Sequence, residues 1–214
     1  VVEEQLQQHH LLITPHISQP LPDNTKLPLE RDILRSGTYN AGFMAMKRSA
    51  ATDDFLHWWA KHMQTECHYQ FAEGMGVDQI WLNLVPLFFP GTGIFQHPGA
   101  NVAYWNIHER KLTETDHGIR VNDQYPLLFL HISGFSFQQP DILSRHQNRF
   151  ELAALPVWKK LLFDYQQMVQ KNGYDQMYVL PCLYARKPAA SLGIMKNVNR
   201  LLQPLGIKIT RNNE

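Results

Sequence analysis

Apolar residues recurring at helical spacing mark three segments of this chain, and short continuous apolar runs mark several others as strands. Phe55, Leu56, Trp59 and Met63 follow Thr52, which predicts a helix capped by that threonine. Ile80, Trp81, Leu84 and Val85 share one face of a second predicted helix over 77–88. Over 155–169 the residues Leu155, Trp158, Leu161, Leu162, Tyr165 and Val169 draw the clearest amphipathic stripe, which Asn172-Gly173 ends.

Between these helices, Leu11-Leu12-Ile13 reads as a short buried strand, and 40–46 as another whose Gly42 implies close approach of a backbone or a ligand. Short strands are expected around Ile94-Phe95, over 102–105 and over 119–121. The run 127–132 (Leu-Leu-Phe-Leu-His-Ile) reads as a central strand buried on both faces. Residues 18–28 are Pro-rich and polar, hence a loop. Residues 177–183 read as extended and 191–202 as helical. Alternating strands and helices make the fold class α/β.

Composition supports a packed globular protein: 44% of the 214 residues are hydrophobic and 18% charged, whereas disorder needs fewer large apolar residues and more net charge. A chain of this length buries roughly 70% of its unfolded surface, enough for a core without staples. The net charge of +1 lacks the clustered basic face that nucleic-acid binding requires. Cys67 and Cys182 stand in neither a redox nor a zinc spacing and are expected to be buried, unpaired thiols of a reducing, cytoplasmic compartment. The longest apolar run, 84–89, is interrupted by Pro86 and falls far short of the ~20 residues of a membrane span. The start, Val1-Val2-Glu3-Glu4-Gln5, has neither an initiator Met nor a secretory pattern, so the expectation is a piece of a longer chain.

Four segments could carry chemistry. Asn40-Ala41-Gly42 puts a polar side chain and small neighbours at the head of a strand, as a ligand or a plain turn would need. Asp78-Gln79 stands at a helix start, where Asp is favoured by the dipole and where an acid–amide pair could also hold sugar hydroxyls. Trp105-Asn106 offers an aromatic face and an amide, unless the ring is simply core. His131, at the end of the apolar run and before Ser133-Gly134, stands where α/β folds place ligands, and its imidazole could bind a divalent metal. Eleven His keep metal chemistry open, but no HExxH spacing supports a metallohydrolase.

In this order, Tyr39-Asn40-Ala41-Gly42, Asp78-Gln79, Trp105-Asn106 and His131-Ile132-Ser133-Gly134 resemble the second half of the GT-A glycosyltransferases related to family 8, which includes glycogenin and bacterial galactosyltransferases. The segment 140–150 looks like a bacterial branch of them. The resemblance implies a GT-A fold with a mixed sheet flanked by helices, residues 1–150 being the C-terminal part of the catalytic domain and 151–214 a helical extension. It implies a metal-dependent, retaining transfer of a sugar from a nucleotide-diphosphate donor to a saccharide or lipid-linked acceptor. His131 would ligate Mn²⁺ or Mg²⁺, Gly134 would line the diphosphate, Asn40, Ala41, Gly42, Trp105 and Asn106 would contact substrate, and Asp78 and Gln79 would lie beside the anomeric carbon.

Two features depart from the family. Its Asp-x-Asp metal motif is absent from these residues, Glu114-Thr115-Asp116 reading as a solvated loop. The Lys-Pro-Trp after the His motif is replaced by Phe135-Ser136-Phe137, leaving Arg145 or Arg149 to face the phosphates. The implied partners include no nucleic acid; peripheral membrane association stays compatible with the sequence. A second reading is a sugar-binding module that keeps the scaffold without the chemistry.

Overall fold

The computed structural model describes residues 1–182. The chain divides into two compact units, 1–167 and 168–214, so residues 151–167 belong with the first. In order, the described elements are α1 (Val2–Gln8), β1 (Leu11–Pro15), α2 (Glu30–Ser36), β2 (Tyr39–Met46), α3 (Ala50–Thr65), β3 (Tyr69–Gln70), β4 (Met75–Gly76), α4 (Val85–Phe88), β5 (Thr92–Ile94), β6 (Leu112–Thr115), β7 (Gly118–Val121), β8 (Tyr125–Pro126), α5 (Pro156–Lys171) and α6 (Tyr174–Tyr178). Single 3-10 turns stand at Phe71–Glu73, Tyr104–Asn106 and Leu152–Ala154, and a longer 3-10 helix at Gln79–Leu84. The class is mixed α/β.

The sheet that positions the site has the order β2-β1-β5 and is mixed: β1 runs antiparallel to β2 and parallel to β5. All five residues of β1 are buried because successive side chains point to opposite faces and both faces are covered. Leu11 and Ile13 pack with Phe55, Leu82 and Val85; Leu12 packs with Phe95 and Ala100, backed by Phe43 and Phe129. Phe55 is fully buried and stacks on Trp59 with ring centres 5.8 Å apart, so Phe55→Ala would cost about 3–5 kcal/mol. A third cluster, built on Val102, Val121, Leu143, Trp158 and Leu162, holds the β6-β7-β8 sheet and the start of α5.

Several sequence expectations shift. The α3 cap is Ser49, whose Oγ accepts from the Thr52 backbone N–H at 3.2 Å; Thr52 instead donates to Lys47 O at 2.7 Å. Leu56 is 39% exposed rather than part of the buried face. The helix expected over 77–88 is a 3-10 helix followed by one short α-turn, and it starts late because Val77 holds a left-handed φ of 52°. Residues 102–105 form no strand but lead into the turn Tyr104–Asn106.

The run 127–132 is not a central strand. It makes one parallel bridge, Val102 to Leu130; the Leu127 N–H bonds Ile119 O on β7, and those of Leu128, Phe129 and His131 bond the carbonyls of Gly99 and Val102. Its apolar side chains pack loosely at the edge of two clusters, which composition alone does not distinguish from a strand. Helix α6 covers 174–178, where an extended segment was expected from 177; the helical stretch over 191–202 lies outside the described residues. Cys67 and Cys182 are exposed rather than buried, and both are free thiols. No helix among the described residues is long and apolar enough to cross a membrane.

Candidate functional site

Strand β2 opens onto a cleft of about 630 Å³ lined by His16, Asp32, Ile33, Ser36, Asn40, Ala41, Gly42, Tyr69, Phe71, Asp78, Gln79, Tyr104, Trp105, His131, Ser133 and His146. That volume suits a small-molecule ligand. Of the residues singled out in the sequence, Asn40, Ala41, Gly42, Asp78, Gln79, Trp105 and His131 share this one cleft.

Gln79 and His131 meet β2 at adjacent residues, whose Cα atoms are about 3.8 Å apart. The Ala41 backbone N–H points at Gln79 Oε1 at the long distance of 3.5 Å. The His131 ring lies against Gly42 so closely that a Cβ there would fall 2.2 Å from Cε1 and 2.6 Å from Nδ1. Glycine is therefore a packing requirement at 42. Asp78 is brought to the cleft by the turn at Val77 and by Trp59, whose indole N–H donates to Asp78 O at 3.1 Å.

His131 is half-buried, and its Nδ1 lies 3.2 Å from Asn101 Oδ1. An amide oxygen only accepts, so Nδ1 carries the proton and Nε2 keeps its lone pair. Burial also lowers the His131 pKa, favouring this neutral form. A histidine that ligates a metal has this arrangement, the far nitrogen fixed by a carbonyl oxygen. Among the described residues, however, no group of three or more His, Cys, Asp or Glu is placed to hold a metal. His131 Nε2 thus has the lone pair a cation would need, but the described residues do not complete a metal shell around it.

His16 was not singled out in the sequence, though it stands just past the apolar strand β1 as His131 stands near the end of an apolar run, and that signal could have found it. Its Nδ1 donates to Thr38 O at 3.1 Å and its Nε2 accepts from Asn40 Nδ2 at 3.1 Å, so neither nitrogen is left for a metal. Burial pushes its pKa down to about 4. Asn40 is itself buried, and its Oδ1 accepts the Gly42 N–H at 2.9 Å. Its first task is to tie His16 to β2. Trp105 stands edge-on to both imidazoles, 5.0 Å from His16 and 5.0 Å from His131. It is 95% buried (5% exposed), and its indole N–H has no partner, nor does Asn101 Nδ2.

Tyr104 and Asp32 are further residues that sequence reasoning passed over. Burial, with the Asp32 carboxylate nearby, pushes the Tyr104 phenol up to about 12, so it stays a neutral donor. Asp32 accepts from the Leu29 N–H at 3.0 Å and from Arg35 at 3.2 Å.

Four expected contacts fall elsewhere. Asn106 is fully buried; its Oδ1 accepts from Ala103 N–H at 2.9 Å and its Nδ2 donates to the carbonyls of His16 and Asn101 at 3.0 Å each. It is a strut behind the cleft rather than a substrate contact. Gly134, at φ 72°, does not line the cleft; a Cβ there would meet Ser144 and His146 at 2.5 Å. Arg145 is exposed, with Nε 3.4 Å from Nε2 of His146, and lies outside the lining. Arg149 is spent elsewhere: its guanidinium, 5% exposed, donates to Asp23 Oδ2 and Lys26 O at 2.6 Å each, pinning the 18–28 loop. Glu114 lies on β6 and pairs with Lys160.

The chain is 34% identical over 99 residues to the uncharacterized Bacillus subtilis protein YfnF, covering 46% of this chain and 33% of the relative. It is 28% identical over 104 residues to YfnD of the same organism, covering 48% of this chain and 33% of that one. The matched part thus spans about a third of the length of these relatives. No family model matches the chain, and no solved structure does.

Proposed function

We propose that this chain forms part of a glycosyltransferase of the GT-A type, which moves a sugar from a nucleotide-diphosphate donor to a saccharide or lipid-linked acceptor. The observation that carries the reading is the convergence of Asp78, Gln79 and His131 on one cleft whose floor carries Trp105. A sugar offers hydroxyls, which an acid–amide pair recognises through directional hydrogen bonds, and apolar ring faces, which suit an aromatic wall. The order of the four motifs in the sequence adds to this.

In that reading Asp78 and Gln79 hold the donor sugar as its bond from C1 to the diphosphate oxygen breaks, the acceptor oxygen bonds to C1, and the acceptor's hydroxyl proton passes to the leaving diphosphate. His131 Nε2 would be this chain's ligand to Mn²⁺ or Mg²⁺, and a bound cation would offset the charge on the leaving diphosphate. His16 and Asn40 set the backbone of β2 on which the sugar rests. Tyr104, neutral at working pH, would donate to an oxygen of the substrate.

The test is the thermal stability of the full-length protein against UDP-glucose, UDP-galactose, dTDP-glucose and GDP-mannose, each with and without Mn²⁺. One of them at about 100 times its Kd should stabilise the fold by about 2.7 kcal/mol, and more with the metal. No response to any would overturn the reading. Binding of a saccharide that is indifferent to Mn²⁺ and to His131→Ala would favour the sugar-binding module instead.

A further inference from the structure

The strands β3 and β4 form a two-residue hairpin that leads straight into Val77 and Asp78, pairing Tyr69 with Gly76 and Gln70 with Met75. Its aromatic residues Tyr69 and Phe71 line the same cleft as Asp78 and Gln79. Tyr69 is 75% exposed and Phe71 39%, with ring centres 5.6 Å apart and planes inclined at 58°. The Phe71 ring is anchored on its other side. The Arg35 guanidinium lies 4.5 Å over the centre of the Phe71 ring, and Arg35 is fixed in turn by Asp32 at 3.2 Å. Gly76 seats the hairpin on the end of α2, since a Cβ there would fall 2.8 Å from Arg35 O.

We infer that the hairpin is a saccharide platform, with Tyr69 stacking on the apolar face of the acceptor's terminal sugar ring beside Asp78. This rests on the reading of the cleft as a sugar-transfer site and assigns the acceptor's place in it. Phe71, its one face occupied by Arg35, acts as the backing that fixes the Tyr69 ring. An uncharged, hydroxyl-rich ring is the occupant that suits a wall alternating exposed aromatic faces with the Asp78 carboxylate and the Gln79 amide, because each satisfies a different surface of the same molecule. The platform and the acid–amide pair share one continuous stretch of chain, so the spacing between them is set by two residues of β4 and one turn.

The experiment uses the full-length protein and its Tyr69→Ala, Tyr69→Trp and Phe71→Ala variants. Calorimetry measures the affinity for methyl glucoside, methyl galactoside and methyl N-acetylglucosaminide, and separately for the nucleotide sugar that stabilises the parent. Tyr69→Ala should weaken the best glycoside about three- to tenfold, the range of one aromatic contact, while Tyr69→Trp keeps it and nucleotide-sugar affinity holds. Phe71→Ala should give a smaller loss of the same kind. Unfolding midpoints equal to the parent's, expected at so exposed a position, separate these losses from misfolding. Unchanged glycoside affinity in Tyr69→Ala, or a loss confined to the nucleotide sugar, overturns the proposal. So does the absence of any glycoside binding in the parent, and a nucleotide-sugar response that persists there would leave the transfer reading standing on its own.

Discussion

Replacing Gly42 by alanine is the most direct test of how His131 is held. The new methyl would lie 2.2 Å from Cε1 and 2.6 Å from Nδ1 of the imidazole, and 2.7 Å from Asn40 Oδ1. Ordinary carbon contacts lie near 3.5 Å, so the ring has to retreat by about 1 Å, Asn40 being tied on its other side to His16. Such a retreat breaks the 3.2 Å bond to Asn101, whose Nδ2 already lacks a partner. Overpacking costs about 1–3 kcal/mol and the hydrogen bond about 1 kcal/mol, so the variant should lose about 2–4 kcal/mol. Urea unfolding with an unchanged m-value reads this directly. In a His131→Ala background most of the clash is gone, and the cycle should return a coupling of at least about 1 kcal/mol. An equal cost in both backgrounds, or a Gly42→Ala cost below about 0.5 kcal/mol, would refute the packing argument. A ligand-side effect follows too, because a group misplaced by ~1 Å can lose about a hundredfold in rate.

Three further outcomes are expected. Asn106→Ala should destabilise by about 2–4 kcal/mol in the same urea assay, since it leaves the Ala103 N–H and the carbonyls of His16 and Asn101 unpaired. His16 titrates near 4 in the fold against an ordinary 6.5; the unfolded chain therefore binds more protons between these values, and stability, full above about pH 6.5, falls as pH drops, by about 2 kcal/mol at pH 5. His16→Gln should flatten that slope, and a slope identical to the parent's would contradict the burial argument. Cys67 and Cys182 are exposed, so both should be alkylated by iodoacetamide without denaturant, read by intact mass; protection of either would place it in an interface or a core.

What the sequence made legible follows from periodicity. The stripe from Leu155 to Val169 maps onto α5 because a helix in contact with a core repeats its apolar face every turn, and Leu11-Leu12-Ile13 is buried on both faces as its continuous apolarity requires. The run from Leu127 to Ile132 misleads for the same reason: apolar residues report contact with a core, not whether the backbone finds a ladder, and here past Leu127 the N–H groups bond the carbonyls of Gly99 and Val102 rather than a neighbouring strand. Helices α1 and α2 escaped the pattern because they are seven residues each and bury at most one side chain, Ile33. Motif order singled out Asp78, Gln79 and His131 in the cleft, whereas Asn106 stands behind it, tied in part to the carbonyl of His16 on a distant segment that no local window contains, and Gly134 packs on Ser144 and His146 instead. His16 was passed over because its partners, Thr38 and Asn40, lie on or next to another strand, and Asp32 because its bonds to Leu29 and Arg35 read as an ordinary helix start.

Val77 is the last residue before the acid–amide pair, and a β-branched side chain at a left-handed φ of 52° is held there at a cost on the order of 1–3 kcal/mol. The chain at this joint is preset rather than relaxed, much as a bent spring fixes the direction of what it carries. A Val77→Gly exchange would release that tension, leaving a sturdier protein whose Asp78 no longer arrives pre-aimed. Thermal selection and selection for turnover should therefore pull this single codon in opposite directions.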